Sequence, residues 1–310
     1  MSERIGIVWN PVKIDEDELR AAAASVFGDD ADVHWWQTSE DDPGTAMARE
    51  AVDQGCAVVI AVGGDGTVRV VAETVAGTDA ALGIVPRGTG NLLARNLEVP
   101  LGDVSAALER VRGGATRDID LGWVAFDDAT DAEEQAFAVM IGFGLDAQML
   151  AQTDDDLKAK AGWLAYVQAL GRAAAATELV DVTIALDDED AEDARIHTML
   201  IGNCGMIQGG ITLLPDAVPD DGQLDVLLVS AEGAAGWFDA ARSVLWDNGV
   251  LRALGGAQQA VSSESARHAS AQRLRVTLRE PQPFEIDGEE AGEVSSFTVR
   301  VQPGAVRVRL

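Results

Sequence analysis

The sequence predicts a doubly wound α/β domain followed by a C-terminal β-sandwich domain, with expected spans of 1–117 and 118–294. Three patterns carry that expectation. Short apolar runs alternate with helical periods as far as residue 113, and from residue 116 closely spaced alternating runs take over. Two of the early runs drive straight into glycine turns that open helices.

Taken in order, Ile5–Trp9 reads as a short strand ending at Asn10-Pro11. Glu16–Phe27 is an alanine-rich helix with acids in its first turn, where the helix dipole favours them. Val33–Thr38 is a second strand and a helix surrounds 44–54. Ala57–Val62 is apolar and largely β-branched without alternation, which suits a parallel strand covered on both faces. Val68, Val71, Ala72 and Val75 then keep a helical period. Ile84–Pro86 repeats the strand-to-glycine pattern, and Val104–Arg112 is a helix stopped by Gly113-Gly114. Beyond residue 116, strands are expected at 118–124, 136–143, 180–186, 195–202, 223–230, 273–278, 284–286, 296–301 and 305–310. Helices at 161–176 and 236–254 interrupt them, and 255–270 reads as a loop or weak helix. The last strands, about 295–310, are candidates to return to the first domain.

Composition excludes several functions. With 23 basic against 52 acidic residues the net charge is −29, so counterion displacement on nucleic acid has no basic surface to drive it. Strong electrostatic attachment to anionic lipid is disfavoured for the same reason. The acid clusters read as solvated faces. No export signal opens the chain, and no apolar run approaches the roughly 20 residues that span a bilayer. A cytoplasmic protein is expected, touching a membrane from the inner side if at all. Cys56 and Cys204 flank apolar strands and read as buried thiols, while His34, His197 and His268 are too scattered for a zinc site.

A strand, a glycine turn and a helix in that order place the turn at the carboxyl end of a sheet, where α/β folds bind ligands. Gly63, Gly64 and Gly66 let backbone amides approach an anion, and the helix N-terminus adds partial positive charge. Asp65 would repel phosphate unless a cation lies between them, which suggests a nucleotide with Mg²⁺ and Thr67 as hydroxyl donor or helix cap. A tight turn that needs glycine only for its dihedrals is the alternative.

Gly-Gly-Asp-Gly-Thr at 63–67 and Pro-Arg-Gly-Thr-Gly-Asn-Leu-Leu-Ala-Arg at 86–95 together resemble the catalytic domain shared by diacylglycerol kinases, sphingosine kinases and their bacterial lipid-kinase relatives. NAD kinases and phosphofructokinases share only the first motif. The resemblance implies an NAD kinase/diacylglycerol kinase-like fold, ATP as donor and Mg²⁺ as metal. It places Asn10 and Pro11 over the nucleotide, although Val12-Lys13-Ile14 stands where the family has small residues, with Lys13 within reach of phosphate. Thr38 would lie near the nucleotide, or else cap the following helix. Gly63, Gly64, Gly66 and Thr67 with Gly88 and Thr89 would contact phosphates, Asp65 would hold water or Mg²⁺, and Asn91 and Arg95 would brace the second turn. Gly142–Ala147 is a further glycine motif whose Asp146 would lie near the phosphates or the interdomain cleft; a bulge with Asp146 as helix N-cap is the alternative.

Asn203 to Val226 resembles the family's structural Mg²⁺ loop: Asp221 by its side chain, Val218 and Gln223 by backbone oxygens, and Asp216 in the surrounding acidic network. Asp287-Gly288-Glu289 matches the family's base motif, because phosphoryl transfer to an alcohol needs a carboxylate to take the hydroxyl proton. Glu289 is favoured as base, with Asp287 bridging to metal; by itself the motif is also an ordinary hairpin turn. Apolar stripes through Trp163–Leu170 and Trp237–Leu245 would be core, or would wall a lipid groove. The implied enzyme is an ATP-dependent lipid kinase, diacylglycerol to phosphatidate. The alternatives are a kinase of a sphingoid-type lipid or a soluble acceptor such as NAD, and a non-catalytic nucleotide-binding regulator. Expected partners are a lipid with a free hydroxyl, met by transient membrane-surface contact, and a second copy of the chain in a homodimer.

Overall fold

The computed structural model describes residues 3–126, 134–144, 179–208, 212–230 and 265–310. In the first half, β1 (Ile5–Trp9), β2 (Val33–Gln37), β3 (Val58–Gly63) and β4 (Ala81–Pro86) pair in parallel in the order β2-β1-β3-β4. The runs without alternation, β1, β3 and β4, are buried along their whole length. Between and after them lie α1 (Glu16–Phe27), α2 (Thr45–Asp53), α3 (Asp65–Val75), α4 (Leu92–Asn96) and α5 (Val104–Gly113). The strand order reverses between β1 and β3, so the crevice of a doubly wound sheet opens at their carboxyl ends. Those ends are tied together, since Asn10 N–H donates to Val62 O at 2.9 Å.

Asp15 caps α1 by accepting from the amides of Asp17 and Glu18. Asp42 does the same for α2, accepting from Gly44, Thr45 and Ala46. The capping role considered for Thr38 therefore falls to Asp42, and Thr38 is buried at the end of β2 with its amide on Trp9 O.

The second half comprises β5 (Thr116–Phe126), β6 (Gln135–Phe137), β7 (Met140–Phe143), β8 (Val180–Leu186), β9 (Glu192–Ile196), β10 (Thr198–Gly202), β11 (Leu224–Val229), β12 (Ala266–Ala271), β13 (Arg273–Ile286) and β14 (Glu289–Arg309). One layer runs β9-β8-β13-β14-β5-β6, and the other continues from the far end of β13 through β7, β10, β11 and β12. β13 passes from one layer to the other through register shifts between Thr277 and Glu285, the usual way a strand turns a sandwich corner. Phe284, Phe297 and Phe126 fill the space between the layers, with ring centroids 4.9 and 5.5 Å apart.

The two layers explain where the structure departs from the strand expectations. The single strand expected at 136–143 is broken at Ala138-Val139, and that expected at 195–202 is broken at His197. In both cases the chain changes layers: β6 pairs with β5 but β7 with β10 and β13, and β9 pairs with β8 but β10 with β7 and β11. Conversely, the expected pairs 273–278 with 284–286, and 296–301 with 305–310, are each one long bent strand. Residues 266–270, expected in a loop or weak helix, form β12 with Ala271 against β11. The expected helices at 161–176 and 236–254, and Leu145-Asp146-Ala147 of the third glycine motif, lie outside the described residues.

β14 joins the halves. It starts at Glu289, runs along β13 and β5, bulges between Gln302 and Val306, and ends with Val308 beside Leu82 of β4 in parallel. The bulge is held by Asp120 of β5, a buried carboxylate that accepts from Gly304 N at 2.7 Å and from Gly222 N at 2.7 Å.

Candidate active site

The two glycine turns touch backbone to backbone. A Cβ on Gly88 would lie 2.6 Å from the Gly64 Cα, and one on Gly63 would lie 2.7 Å from the Thr67 hydroxyl oxygen, so neither position has room for a side chain. Arg87 N donates to Gly63 O at 2.7 Å across the same junction. Gly64 is the N-cap of α3, whose first internal bond is Val68 N to Gly64 O. The amides of Gly66 and Thr67 thus project from the helix end, where an anion is favoured. Thr67 itself is buried under the turn rather than serving as a cap.

The second turn is locked by side chains. Asn91 adopts a left-handed conformation with φ 48°. Its Oδ1 accepts from Gly88 N at 2.8 Å, and its Nδ2 donates to Gly88 O at 2.7 Å. Arg95 Nε donates to Gly90 O at 2.7 Å, and Thr89 is left exposed at the apex. Asp65 staples the first turn to the second, accepting from the amides of Asn91 at 2.7 Å and Leu92 at 2.5 Å. Burial pushes its carboxyl upward, these amides oppose that, and the nearby Glu289 adds to it. Each Asp65 oxygen already holds an amide, so only its remaining lone pairs face the water or Mg²⁺ expected there.

At the end of β1, Asn10 Oδ1 accepts from Val12 N, and Lys13 N donates to Asn10 O. The unusual Val12-Lys13-Ile14 is thereby accounted for. Two of its amides serve the turn itself, Ile14 plugs the core, and Val12 is 85% exposed. Pro11 and Lys13 are exposed beside it, and Arg87 Nε reaches Lys13 O at 3.3 Å.

The β13–β14 hairpin brings the acids to this place. Asp287 and Gly288 both have positive φ (48° and 83°), the tight hairpin turn for which Asp-Gly is suited. The Asp287 carboxylate is buried and accepts from the amides of Ala138, Val139 and Met140 at 2.8–2.9 Å. These are the amides freed where the chain crosses layers between β6 and β7. Asp287 was expected to bridge to metal; its oxygens instead turn inward to the backbone. Burial pushes its carboxyl up to about 6, against the pull of the three amides and of Arg69. Glu289 turns the other way. A Cβ on Gly66 would overlap its carboxylate, and Arg69 Nη2 donates to Glu289 Oε2 at 2.8 Å. The half-exposed Glu289 carboxylate therefore lies directly against the first glycine turn.

The candidate metal loop stands apart, anchored on β5. Asp221 is exposed, its Oδ1 accepts from Gln223 N at 2.9 Å, and Val218 O accepts from the amides of Asp220 and Asp221. Arg117 holds Asp220 through two bonds of 2.7 and 2.8 Å. Burial raises the Asp221 carboxyl, helped by Asp120 and Asp220. Asp216 acts on Asp225, whose carboxyl burial lifts to about 6. The donor set of Asp221, Val218 and Gln223 is all oxygen, which fits a hard cation. Among the described residues no three or more His, Cys, Asp or Glu side chains converge on one point, so a cation here would rest on one carboxylate, carbonyls and water.

Sequence reasoning missed several members of the site. Arg69 is a charged residue inside an otherwise apolar run, Val68–Val71, and that interruption was the available signal. Asp120 is one polar residue in an alternating strand and carries no local signal. Asn203, the first residue of the expected metal-loop motif, is buried and donates through Nδ2 to Asp120 O and Ala138 O, and Asn96, unread in the sequence, bridges both backbone groups of Met206.

An amide cradle at the switch point of a parallel sheet, faced by an acid on a hairpin from a β-sandwich, is the architecture of a phosphoryl-transferring enzyme. Comparison with known proteins agrees. The diacylglycerol kinase catalytic domain matches residues 10–124, and the YegS C-terminal NAD kinase beta sandwich-like domain matches residues 139–310. The chain belongs to the YegS-like lipid kinase family. A relative from Stenotrophomonas maltophilia (strain K279a), named "Probable lipid kinase YegS-like", is 30% identical over 98% of this chain and 95% of its own. One of the same name from Pseudomonas aeruginosa (strain PAO1) is 31% identical over 99% and 94%. The crystal structure of a diacylglycerol kinase from Bacillus anthracis str. Sterne shares the fold with a TM-score of 0.70 and 19% identity, covering 99% of this chain and 96% of that one. No helix among the described residues is long and apolar enough to cross a membrane.

Two outcomes follow from this geometry. Gly88→Ala forces the turns apart at the backbone and should weaken ATP binding by about tenfold or more while the chain stays folded; calorimetric titration measures it, and an unchanged Kd would contradict the cradle. Asp287 has a folded value above the ordinary 3.8 of an aspartate, so its contribution to stability is greatest at low pH and declines as pH rises through about 6. Relative to Asp287→Asn, which cannot ionise, the wild type should lose about 1 kcal/mol of stability between pH 5 and pH 7. Urea unfolding at the two pH values reads this difference, and a gap that widens in favour of the wild type would contradict it.

Proposed function

We propose that the protein transfers the γ-phosphate of Mg-ATP to the hydroxyl of a lipid, with diacylglycerol as acceptor and phosphatidate as product. The observation that carries this reading is the Glu289 carboxylate set against Gly66, in the angle between the two glycine turns. A triphosphate lying on the amides of Gly64–Thr67 and Gly88-Thr89 would present its terminal phosphorus to that carboxylate. The acceptor hydroxyl entering beside Glu289 attacks phosphorus as its proton passes to the Glu289 carboxylate. The bond from phosphorus to the bridging oxygen breaks, and ADP is left on the cradle. Asn10, Pro11 and Thr38 border the same crevice at the ends of β1 and β2. Asp65 keeps the two turns in register, and Asp287 fixes the hairpin tip from which Glu289 projects.

The Val218–Gln223 loop would hold Mg²⁺ through Asp221 and backbone carbonyls, where the ion neutralises an acidic loop; Asp216 belongs to its surroundings. In this reading residues 1–117 bind the nucleotide and residues 118–294 carry the acids. The names of the curated relatives support a lipid acceptor, which the enzyme would meet at the inner membrane surface.

Glu289→Gln keeps the shape but cannot take a proton, so kcat should fall by roughly 10²–10⁴-fold with ATP binding intact. Labelled ATP and a total lipid extract, followed by identification of the labelled product, test both donor and acceptor. Full turnover in Glu289→Gln would remove the base, and a labelled water-soluble product would replace the lipid acceptor.

A further inference from the structure

Arg69 is a charged group on the nucleotide-side helix that meets an acid from the other half of the molecule. It lies in the first turns of α3, immediately after the glycine cradle, and donates through Nη2 to Glu289 Oε2 at 2.8 Å across 220 residues of sequence. The arginine side chain is 16% exposed and the glutamate 50%, so the cation is the anchored partner and the carboxylate the freer one. Arg69 Nε is buried without a hydrogen-bond partner among the described residues, so packing holds the guanidinium stem while one edge of the fork serves Glu289. The nearby Asp65 is a like charge, and its carboxyl, raised first by burial, is raised further by Glu289. Asp287, one turn away, also feels Arg69. Partly exposed ion pairs add little to stability. What this one fixes is direction: without the guanidinium, a flexible glutamate facing Asp65 has nothing to hold it over Gly66.

Resting on the lipid-kinase reading above, we propose that Arg69 is the positioning residue of the base, clamping the Glu289 carboxylate against the first glycine turn so that it faces the acceptor hydroxyl. The clamp spans the two halves of the molecule, since one partner stands on the nucleotide-side helix and the other on the acid-bearing hairpin. Arg69 therefore acts on the chemical step through Glu289 and leaves the grip on ATP to the amides.

The test is a set of steady-state measurements with ATP and diacylglycerol in mixed micelles, on wild type, Arg69→Met, Arg69→Lys, Glu289→Gln and the Arg69→Met/Glu289→Gln double variant. A misplaced base costs on the order of 10²-fold, so Arg69→Met should lose about that much in kcat with KM for ATP kept within about twofold. Arg69→Lys, a point charge on a similar stem, should recover part of the loss. In the Glu289→Gln background the same change should cost nothing more, because the group it positions is gone. Losses that multiply in the double variant, a raised KM for ATP, or no recovery with lysine would each overturn the proposal. Failure of the lipid-kinase reading is recognised separately, because the wild type itself would then label no lipid from ATP and diacylglycerol; full turnover in Glu289→Gln with the lipid still labelled removes the base and the proposal with it.

Discussion

The buried carboxylate of Asp287 is the constraint on which the site depends. Three consecutive amides at Ala138, Val139 and Met140 lose sheet partners where the chain changes layers, and a buried amide without a partner is costly. Asp287 supplies both oxygens to them from the tip of a hairpin that begins in another part of the sequence. The hairpin tip is thereby fixed in place, and two residues later Glu289 emerges on the opposite side of the turn. Of the two acids in the motif, one holds the backbone and the other is half-exposed and paired with Arg69. Their environments separate the roles: Asp287 is buried among amides, while Glu289 is half-exposed against a glycine.

From that point β14 carries the geometry across the molecule. It is continuous from Glu289 to Arg309, paired with β13 and β5, and it ends beside β4, whose carboxyl end supplies the second glycine turn. The acid and the two glycine turns thus belong, among the described residues, to a single hydrogen-bonded network of 14 strands. Asp120 pins the bulge in this strand and also the candidate metal loop, so displacement of either is resisted by the same carboxylate. Asp65 and Asn91 do for the two glycine turns what Asp287 does for the hairpin, using short polar side chains to hold backbone that regular structure leaves unpaired.

Much of this was legible in the sequence, because buried parallel strands and glycine turns leave local marks. The apolar runs of β1, β3 and β4, the turns at Gly63–Gly66 and Gly88–Gly90, and the Asp-Gly hairpin could all be read from neighbouring residues. The unread parts depend on partners far away. The breaks at Ala138 and His197 carry no turn residues, since the chain stays extended as it leaves one layer for the other. Asp287 read as a hairpin residue or a metal bridge because its three donors lie 147–149 positions away. Taken with its neighbours alone, Arg69 is one charge on a helix and Asp120 one polar residue in a strand. Each acquires its role only when β14 and α3 are side by side.

The position of the terminal phosphate is the most direct measure of whether cradle and acid form one site. A crystal structure with Mg²⁺ and a non-hydrolysable ATP analogue would show it. With the halves arranged as described, the γ-phosphorus should rest on the amides of Gly66 and Thr67 with the Glu289 carboxylate across from it, leaving space between them for a hydroxyl. A γ-phosphate bound away from the first glycine turn, or pointing from Glu289 toward open solvent, would contradict this arrangement.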